Sequence, residues 1–389
     1  MKQNQGPQLS RRDVLGAAAP LVLSASSLAL PAVVRTAQPS GFEYKTKHVI
    51  LVAFAGGVRT RETFGTLANI PNLKRMADDG VAYMRARTSN LGHFGATLSL
   101  FTGISEARGI RENTRGNDPT LFEYVRKDLG LGASDVWVST SGGAQQSNYS
   151  ASYHPEYGSR YGANTLDGDG IFNAEFKSIL DSFGRPREMK DRETDLLEKM
   201  RTSIGSGAGE DRVNTPESFA KVERYILDEL KGGTVDLRGT GSSDAKAMRV
   251  ARNLLPVFRP KLMGVVLRDA DVAHGNFNAY VEVIRRNDVM LGELWDAVRS
   301  DPELRDSTSI FVLPEFGRDA DLNTRRGLDH GDGSDDLNYV SLVGWGPDFG
   351  KGRVVNEEVR TIDVCASVCG LLGAKARYAR SKRLPRLLG

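Results

Sequence analysis

Residues 47–57, KHVILVAFAGG, form a continuous apolar and largely β-branched run that ends in two glycines. A run without polar alternation is the pattern of a strand buried on both faces, and the glycines supply the tight turn after it. Five more runs share this character: 80–88 (GVAYMRART), 134–140 (SDVWVST), 261–269 (KLMGVVLRD), 308–315 (TSIFVLPE) and 339–347 (YVSLVGWGP). Helical patterns lie between them, at 71–79 (begun by proline and stopped at Gly80), at 120–128 and at 280–299. Strands alternating with helices predict an α/β fold: a mostly parallel central sheet with helices on both faces and active residues at the carboxyl ends of the strands.

The bulk composition agrees with that reading. A chain of 389 residues, 40% hydrophobic and 26% charged, has room for one large α/β domain or two smaller ones. Its 52 basic and 49 acidic residues leave a net charge of +3, so no electrostatic case for a nucleic-acid partner follows. The basic tail at 375–386 (KARYARSKRLPR) reads as a solvated end.

The N-terminal segment speaks to address. Ser10, Arg11, Arg12, Asp13, Val14 and Leu15 precede an alanine-rich apolar stretch reaching about Val34, which resembles a twin-arginine export signal. Residues 1–40 are therefore assigned to the signal and 41–389 to the functional domain, with the twin-arginine translocase as partner during export and a periplasmic or otherwise exported destination. The stretch is too short and too flanked by small residues for a membrane span, and no transmembrane segment is expected in the mature chain.

Residues 141–260 break the strand–helix rhythm, being rich in Gly, Ser, Asn and Tyr early and charged and helical later, and are expected to form a cap insertion. The glycine-rich piece 203–212 (SIGSGAGEDR) lacks the Lys-Ser/Thr of a phosphate loop. Cys365 and Cys369, the two cysteines, lie four apart in a helical pattern and read as core residues, since that spacing suits a disulfide poorly.

The chemistry concentrates in two segments, 268–288 (RDADVAHGNFNAYVEVIRRND) and 315–330 (EFGRDADLNTRRGLDH). They put Asp269, Asp271, His274, Glu315, Asp329 and His330 at the ends of apolar strand candidates. With five histidines in the chain, two at strand-associated turns beside acids is the composition of a metal site. Imidazole nitrogen and carboxylate oxygen suit one divalent ion, zinc first, with manganese, magnesium or calcium as alternatives. Asp271, His274 and His330 are the leading ligands, and Glu315 and Asp269 complete the set. Arg318, just past a strand end, and Arg59 are candidates for holding a substrate anion, because an arginine fork matches phosphate, sulfate or carboxylate. Asn323 is read as a substrate-side residue that also bonds the turn presenting Asp329 and His330.

In order along the chain, VILVAFAGG, IPNLKRMADDGVAYMRA, SLFTGISEARGI, the Asp-His turn before a helix bearing LGELWDAV, and RTIDVCASVCGLLG resemble the landmarks of the alkaline phosphatase and sulfatase superfamily. DVAHGNF, PEFGRDADLN and GLDHGDG look closer still to an exported bacterial branch of it. The resemblance covers about residues 47–373, apart from much of the middle insertion. It implies cleavage of phosphate or sulfate esters with two metal ions and a hydroxyl or modified-cysteine nucleophile.

Three positions depart from that pattern. Ala55 stands where the resemblance implies a ligand Asp, and Phe316 stands where it implies a His after Glu315. His93 falls at the implied nucleophile position, counted back from Thr102 and Gly103, where it serves as a further ligand or as a phosphoryl acceptor. Thr88, Ser89, Thr97 and Ser99 are hydroxyls that could serve if the loop differs in length. The ligands lost at Ala55 and Phe316 belong to one metal site, whereas Asp271, His274 and His330 match the other. The expectation is an exported one-metal hydrolase acting on an anionic small-molecule or glycan ester, a phosphate or sulfate. Its rival is a non-catalytic member that binds a glycan or a cell-envelope partner.

Overall fold

The computed structural model describes residues 43–105, 115–141, 149–167, 224 and 237–389. In it the run at 47–57 becomes β1 (His48–Phe54), followed by β2 (Val81–Arg87), β3 (Val136–Thr140), β4 (Asn164–Asp167), β5 (Leu262–Leu267), β6 (Thr308–Pro314), β7 (Tyr339–Trp345), β8 (Arg353–Val355) and β9 (Val359–Arg360). These strands form one sheet in the order β4-β3-β5-β1-β6-β7-β2-β8, with β9 paired to β2. β1 is central and parallel to both neighbours, Val52 lying opposite Val265 of β5 and Val312 of β6. β7 alone runs against its neighbours β6 and β2, so the expected mostly parallel α/β sheet holds with one strand reversed.

Strand periodicity divides β1 between two cores. Ile50, Val52 and Phe54 face one side, where they join α4 (Ser242–Phe258), α5 (Phe277–Ser300) and α1 (Pro71–Asp78). Val49, Leu51, Ala53 and Ala55 face the other, with α2 (His93–Thr102), α3 (Leu121–Asp128) and α7 (Asp363–Leu372). Every β1 residue from Val49 to Phe54 is buried, and each large one contributes about 1.5–3 kcal/mol to burying the sheet. Cys365 and Cys369 are free and buried in the second core, on α7.

The helices start where their sequences provide caps. Thr120 and Glu123 close a capping box at α3, the Glu123 side chain accepting from the Thr120 N–H at 2.7 Å. Asn276 caps α5 by accepting from the Ala279 N–H at 3.0 Å. α1 begins with Pro71 and borrows its cap from α5: Asp288 accepts from the backbone N–H of Asn72 (2.9 Å) and Leu73 (2.8 Å).

Both ends of the stretch assigned to a cap insertion belong to the sheet sandwich. β4 extends the sheet beyond β3, and α4 packs on β5. The central part, 168–223 and 225–236, lies outside the described residues, as does the N-terminal segment read as an export signal. No helix among the described residues is long and apolar enough to cross a membrane.

Candidate metal centre

Four chain segments converge at the carboxyl end of the central strands. β1 runs into Ala55, Gly56 and Gly57; β5 into a 3-10 turn, Asp269–His274; and β6 into Glu315, Phe316 and Arg318. His93 is the first residue of α2. The crossing is so close that only glycine fits at two points. A Cβ on Gly56 would lie 2.5 Å from the Asp271 nitrogen, and Gly57, at φ +67°, would carry one 2.8 Å from the Phe316 ring. Backbone bonds then fasten the later loop to the β5 turn: the Leu328 N–H donates to the Ala273 carbonyl at 2.7 Å, and Asn323 Nδ2 donates to the His274 carbonyl at 3.0 Å.

This framework gathers His93, His274 and His330, one ligating nitrogen from each lying within 4.8 Å of the others. Two of the three are oriented by carboxylates. His93 Nδ1 donates to Glu315 Oε1 at 2.5 Å, and His274 Nδ1 donates to Asp329 Oδ1 at 2.6 Å. With Nδ1 committed, the free donor on each ring is Nε2, and both point to one oxygen: Asp271 Oδ1 is 2.8 Å from His93 Nε2 and 3.3 Å from His274 Nε2. A histidine with its distal N–H held by a carboxylate is the arrangement that presents imidazole to a metal.

The residues present suit a cation. His93 Nε2 is a buried polar atom without a well-directed hydrogen bond, although a carboxylate oxygen is adjacent. Nitrogens around a tetrahedral zinc sit about 3.3 Å apart, so closing separations of up to 4.8 Å by at most about 1.5 Å brings the three histidines to ligating distance. His93, His274, His330 and Asp271 together offer three nitrogens and one anionic oxygen, a donor set that suits zinc.

Electrostatics follow from the same contacts. Burial disfavours a charged His93, but hydrogen bonds and charge from Asp271 and Glu315 prevail and push it up to about 9. Burial pushes Glu315 up as well, against the pull of His93 and Thr97, while two carboxylates act on His93. Burial also works against ionisation of Asp271, yet His93 and Arg318 hold its carboxyl well below the usual range. His330 is driven down, first by burial and then by the positive charge of His93, Arg318 and His274, which keeps its imidazole neutral and able to ligate. The hydrogen bonds of His274 and Asn323 hold Asp329 ionised.

Several candidates occupy other posts. Asp269 turns to the start of α4, where its Oδ2 accepts from the Asp244 N–H at 3.0 Å. Arg59 is buried against Glu62 (2.6 Å) and donates to the Asp319 and Ala320 carbonyls at 2.7 and 2.9 Å, so it shapes the loop that follows β6. Arg318 is fully buried: its guanidinium donates to the Gly56 and Leu328 carbonyls and to Asp271 Oδ1 at 2.6 Å, an inward direction away from solvent. Asn323 bonds the turn, donating to His274 O and Asp329 Oδ2 at 3.0 Å each. Among the hydroxyls, Thr97 Oγ1 is buried and donates to Glu315 Oε2 at 2.5 Å, leaving none free at the cluster from that position.

Ala55 and Phe316 also have places that sequence alone does not reveal. The Ala55 carbonyl lies 3.1 Å from His93 Nδ1, and the Phe316 ring packs against His93 and His330 with centroids 4.9 and 5.1 Å away. An aromatic ring and the His93 imidazole thus fill the space between Ala55 and Glu315. The part of Asp329 as the partner of His274 was hidden in the sequence, although its position directly before His330 was the available signal.

Comparison with solved structures places this architecture. Wild-type alkaline phosphatase PafA superposes with a TM-score of 0.59 at 9% identity, over 90% of this chain and 100% of that one. A four-substitution mutant of the same enzyme gives 0.60 at 10%, with the same coverage. A phosphonate monoester hydrolase from Silicibacter pomeroyi gives 0.46 at 14%, over 87% of this chain and 75% of that one. No family model and no curated protein matches the chain. At these identities the likeness is one of fold.

Proposed function

Given that the chain has the alkaline phosphatase superfamily fold, we propose that it is a hydrolase of a phosphate or sulfate ester that works with one divalent cation, held by Asp271, His274, His330 and His93. The observation that carries this reading is the pair of carboxylate-held imidazoles whose Nε2 atoms meet at Asp271 Oδ1. A bound divalent cation supplies Lewis acidity and lowers the pKa of water at neutral pH, which removes the need for a hydroxyl nucleophile. Its identity is proposed as zinc, from the nitrogen-rich donor set.

The chain's own residues have distinct tasks. Asp271 and the neutral His330 supply ligand atoms, while Glu315 and Asp329 hold the His93 and His274 rings in the tautomer that offers Nε2. His93, pushed up to about 9, would ligate only by releasing its Nε2 proton as a cation binds; with Nδ1 committed to Glu315, the single Nε2 lone pair is then a ligand and not a phosphoryl acceptor. The first turn of α2, which begins at His93, has no side-chain cap, and such a helix start would favour an anionic ester group. Export by the twin-arginine route, motivated by Ser10, Arg11 and Arg12 and the apolar stretch behind them, belongs to the same proposal.

The non-catalytic reading rests on one specific observation: the hydroxyl of Thr97 is spent on Glu315, and Phe316 fills the space next to His93. Metal analysis of purified protein, followed by aryl phosphates and sulfates assayed with zinc, manganese, magnesium or calcium, separates the two. Turnover that disappears in a folded His330→Ala variant supports the hydrolase. A stoichiometric cation without turnover on any ester favours the binding protein, and the absence of any cation removes the metal from both.

A further inference from the structure

Arg318 is among the largest side chains in the molecule with no solvent exposure, and it is cationic. Its guanidinium cannot shed its charge, so its burial has to be offset by directed hydrogen bonds. Four of its five N–H groups find a protein acceptor. Nε donates to the Gly56 carbonyl at 3.2 Å, Nη1 to the Leu328 carbonyl at 3.1 Å, and Nη2 to Asp271 Oδ1 at 2.6 Å and to Gly56. Three separate segments, after β1, after β5 and before His330, are thereby tied to one group. The backbone is cut to fit it: a Cβ on Gly57 would approach Arg318 Nε to 2.9 Å.

We propose that Arg318 is a positioning residue, a permanent internal cation that fixes Asp271 for metal ligation and limits the cluster to a single divalent ion. The inference rests on the one-metal reading of the site. Asp271 lies between the guanidinium and the histidines, its Oδ1 shared by Arg318 Nη2, His93 Nε2 and His274 Nε2. The arginine therefore sets both the direction and the charge of this carboxylate before any cation arrives. A second divalent ion in contact with Asp271 would share that carboxylate with a fixed positive charge 2.6 Å from its Oδ1, and like charges so close repel. The role differs from binding a substrate anion, because the side chain has no solvent exposure and four of its five N–H groups are spent on protein acceptors. It also differs from simple packing, because what it controls is the affinity and number of ions bound at a neighbouring carboxylate.

The test is titration of metal-free full-length protein with Zn²⁺ by calorimetry, with native mass spectrometry for stoichiometry and circular dichroism for folding. Wild type is expected to take up one ion. A folded Arg318→Met variant should bind it at least roughly tenfold more weakly, the loss typical when a ligand's supporting partner is removed. Arg318→Lys, which keeps the charge without the fork, should recover part of that loss. Arg126→Met is the control for destabilisation alone: this buried arginine on α3 donates to the Gly162 carbonyl at 2.6 Å, and its loss should leave zinc affinity within about twofold. If Arg318→Met does not fold, Arg318→Lys carries the test, with an expected loss of about threefold or more. Unchanged affinity in a folded Arg318 variant, or two ions in wild type, overturns the inference. Failure of wild type to bind zinc overturns the one-metal reading instead, a distinguishable result.

Discussion

His330 and Asp329 are adjacent in sequence yet belong to different layers of the site. His330 offers its own nitrogen to the cluster, while Asp329 holds His274 at 2.6 Å from the outside. The two substitutions should therefore separate. Asp329→Asn is expected to weaken zinc binding by about 10- to 100-fold with little change in melting temperature, since it releases the His274 ring without removing a ligand. His330→Ala should weaken it beyond that range and abolish ester turnover. Calorimetry on both variants checks the ordering, and an Asp329→Asn effect equal to or larger than that of His330→Ala would contradict it. At this scale the residue types were legible and their pairings were not. Histidines and acids at strand ends signalled a metal site. That His93 meets Glu315 across 222 positions, or that Arg318 turns inward to Gly56, depends on how distant loops cross.

Elements carry the site only if they hold their own ends. Asp288 on α5 caps α1 through the Asn72 and Leu73 N–H groups, so Asp288→Ala should leave two donors unsatisfied and cost about 1–3 kcal/mol, read as a lower urea midpoint. At the start of β1, His48 Nδ1 bonds the Pro260 carbonyl at 2.9 Å, and burial, aided by Lys261 and Arg259, drives its pKa below the ordinary 6.5. The sign is then determined: the unfolded chain takes a proton near pH 6.5 while the folded chain resists it, so stability is full above that pH and falls as the pH drops below it. Wild type should lose more stability between pH 7.5 and pH 5 than His48→Gln does, and equal losses would remove His48 from the account. Strands such as β1 and β6 were readable because burial on both faces leaves an unbroken apolar run. β4, β8 and β9, with sequences NTLD, RVV and VR, are too short to show any period. The reversed direction of β7 leaves no trace in an apolar pattern.

For the whole molecule, the fold persists at about one residue in ten identical to alkaline phosphatase PafA, while the three histidines proposed as ligands gather in one cluster among the described residues. The sheet supplies the geometry: the ends of β1, β5 and β6 are neighbours because the strands are, and whatever follows them must meet. Ala55, Phe316 and the inward Arg318 make that meeting place apolar and already cationic on one side; Asp271, His274 and His330 make it ligating on the other. The order of the landmarks was readable because it follows the strand order. Between β4 and α4 the sequence indicates by its composition only a change of character. The most direct test of the central claim is anomalous diffraction at the zinc edge from crystals of protein loaded with zinc. The account predicts one peak per chain, within ligating distance of Asp271, His274 and His330, with His93 Nε2 turned to it. A second peak beside Glu315 and Ala55, or no peak at the histidines, would contradict it.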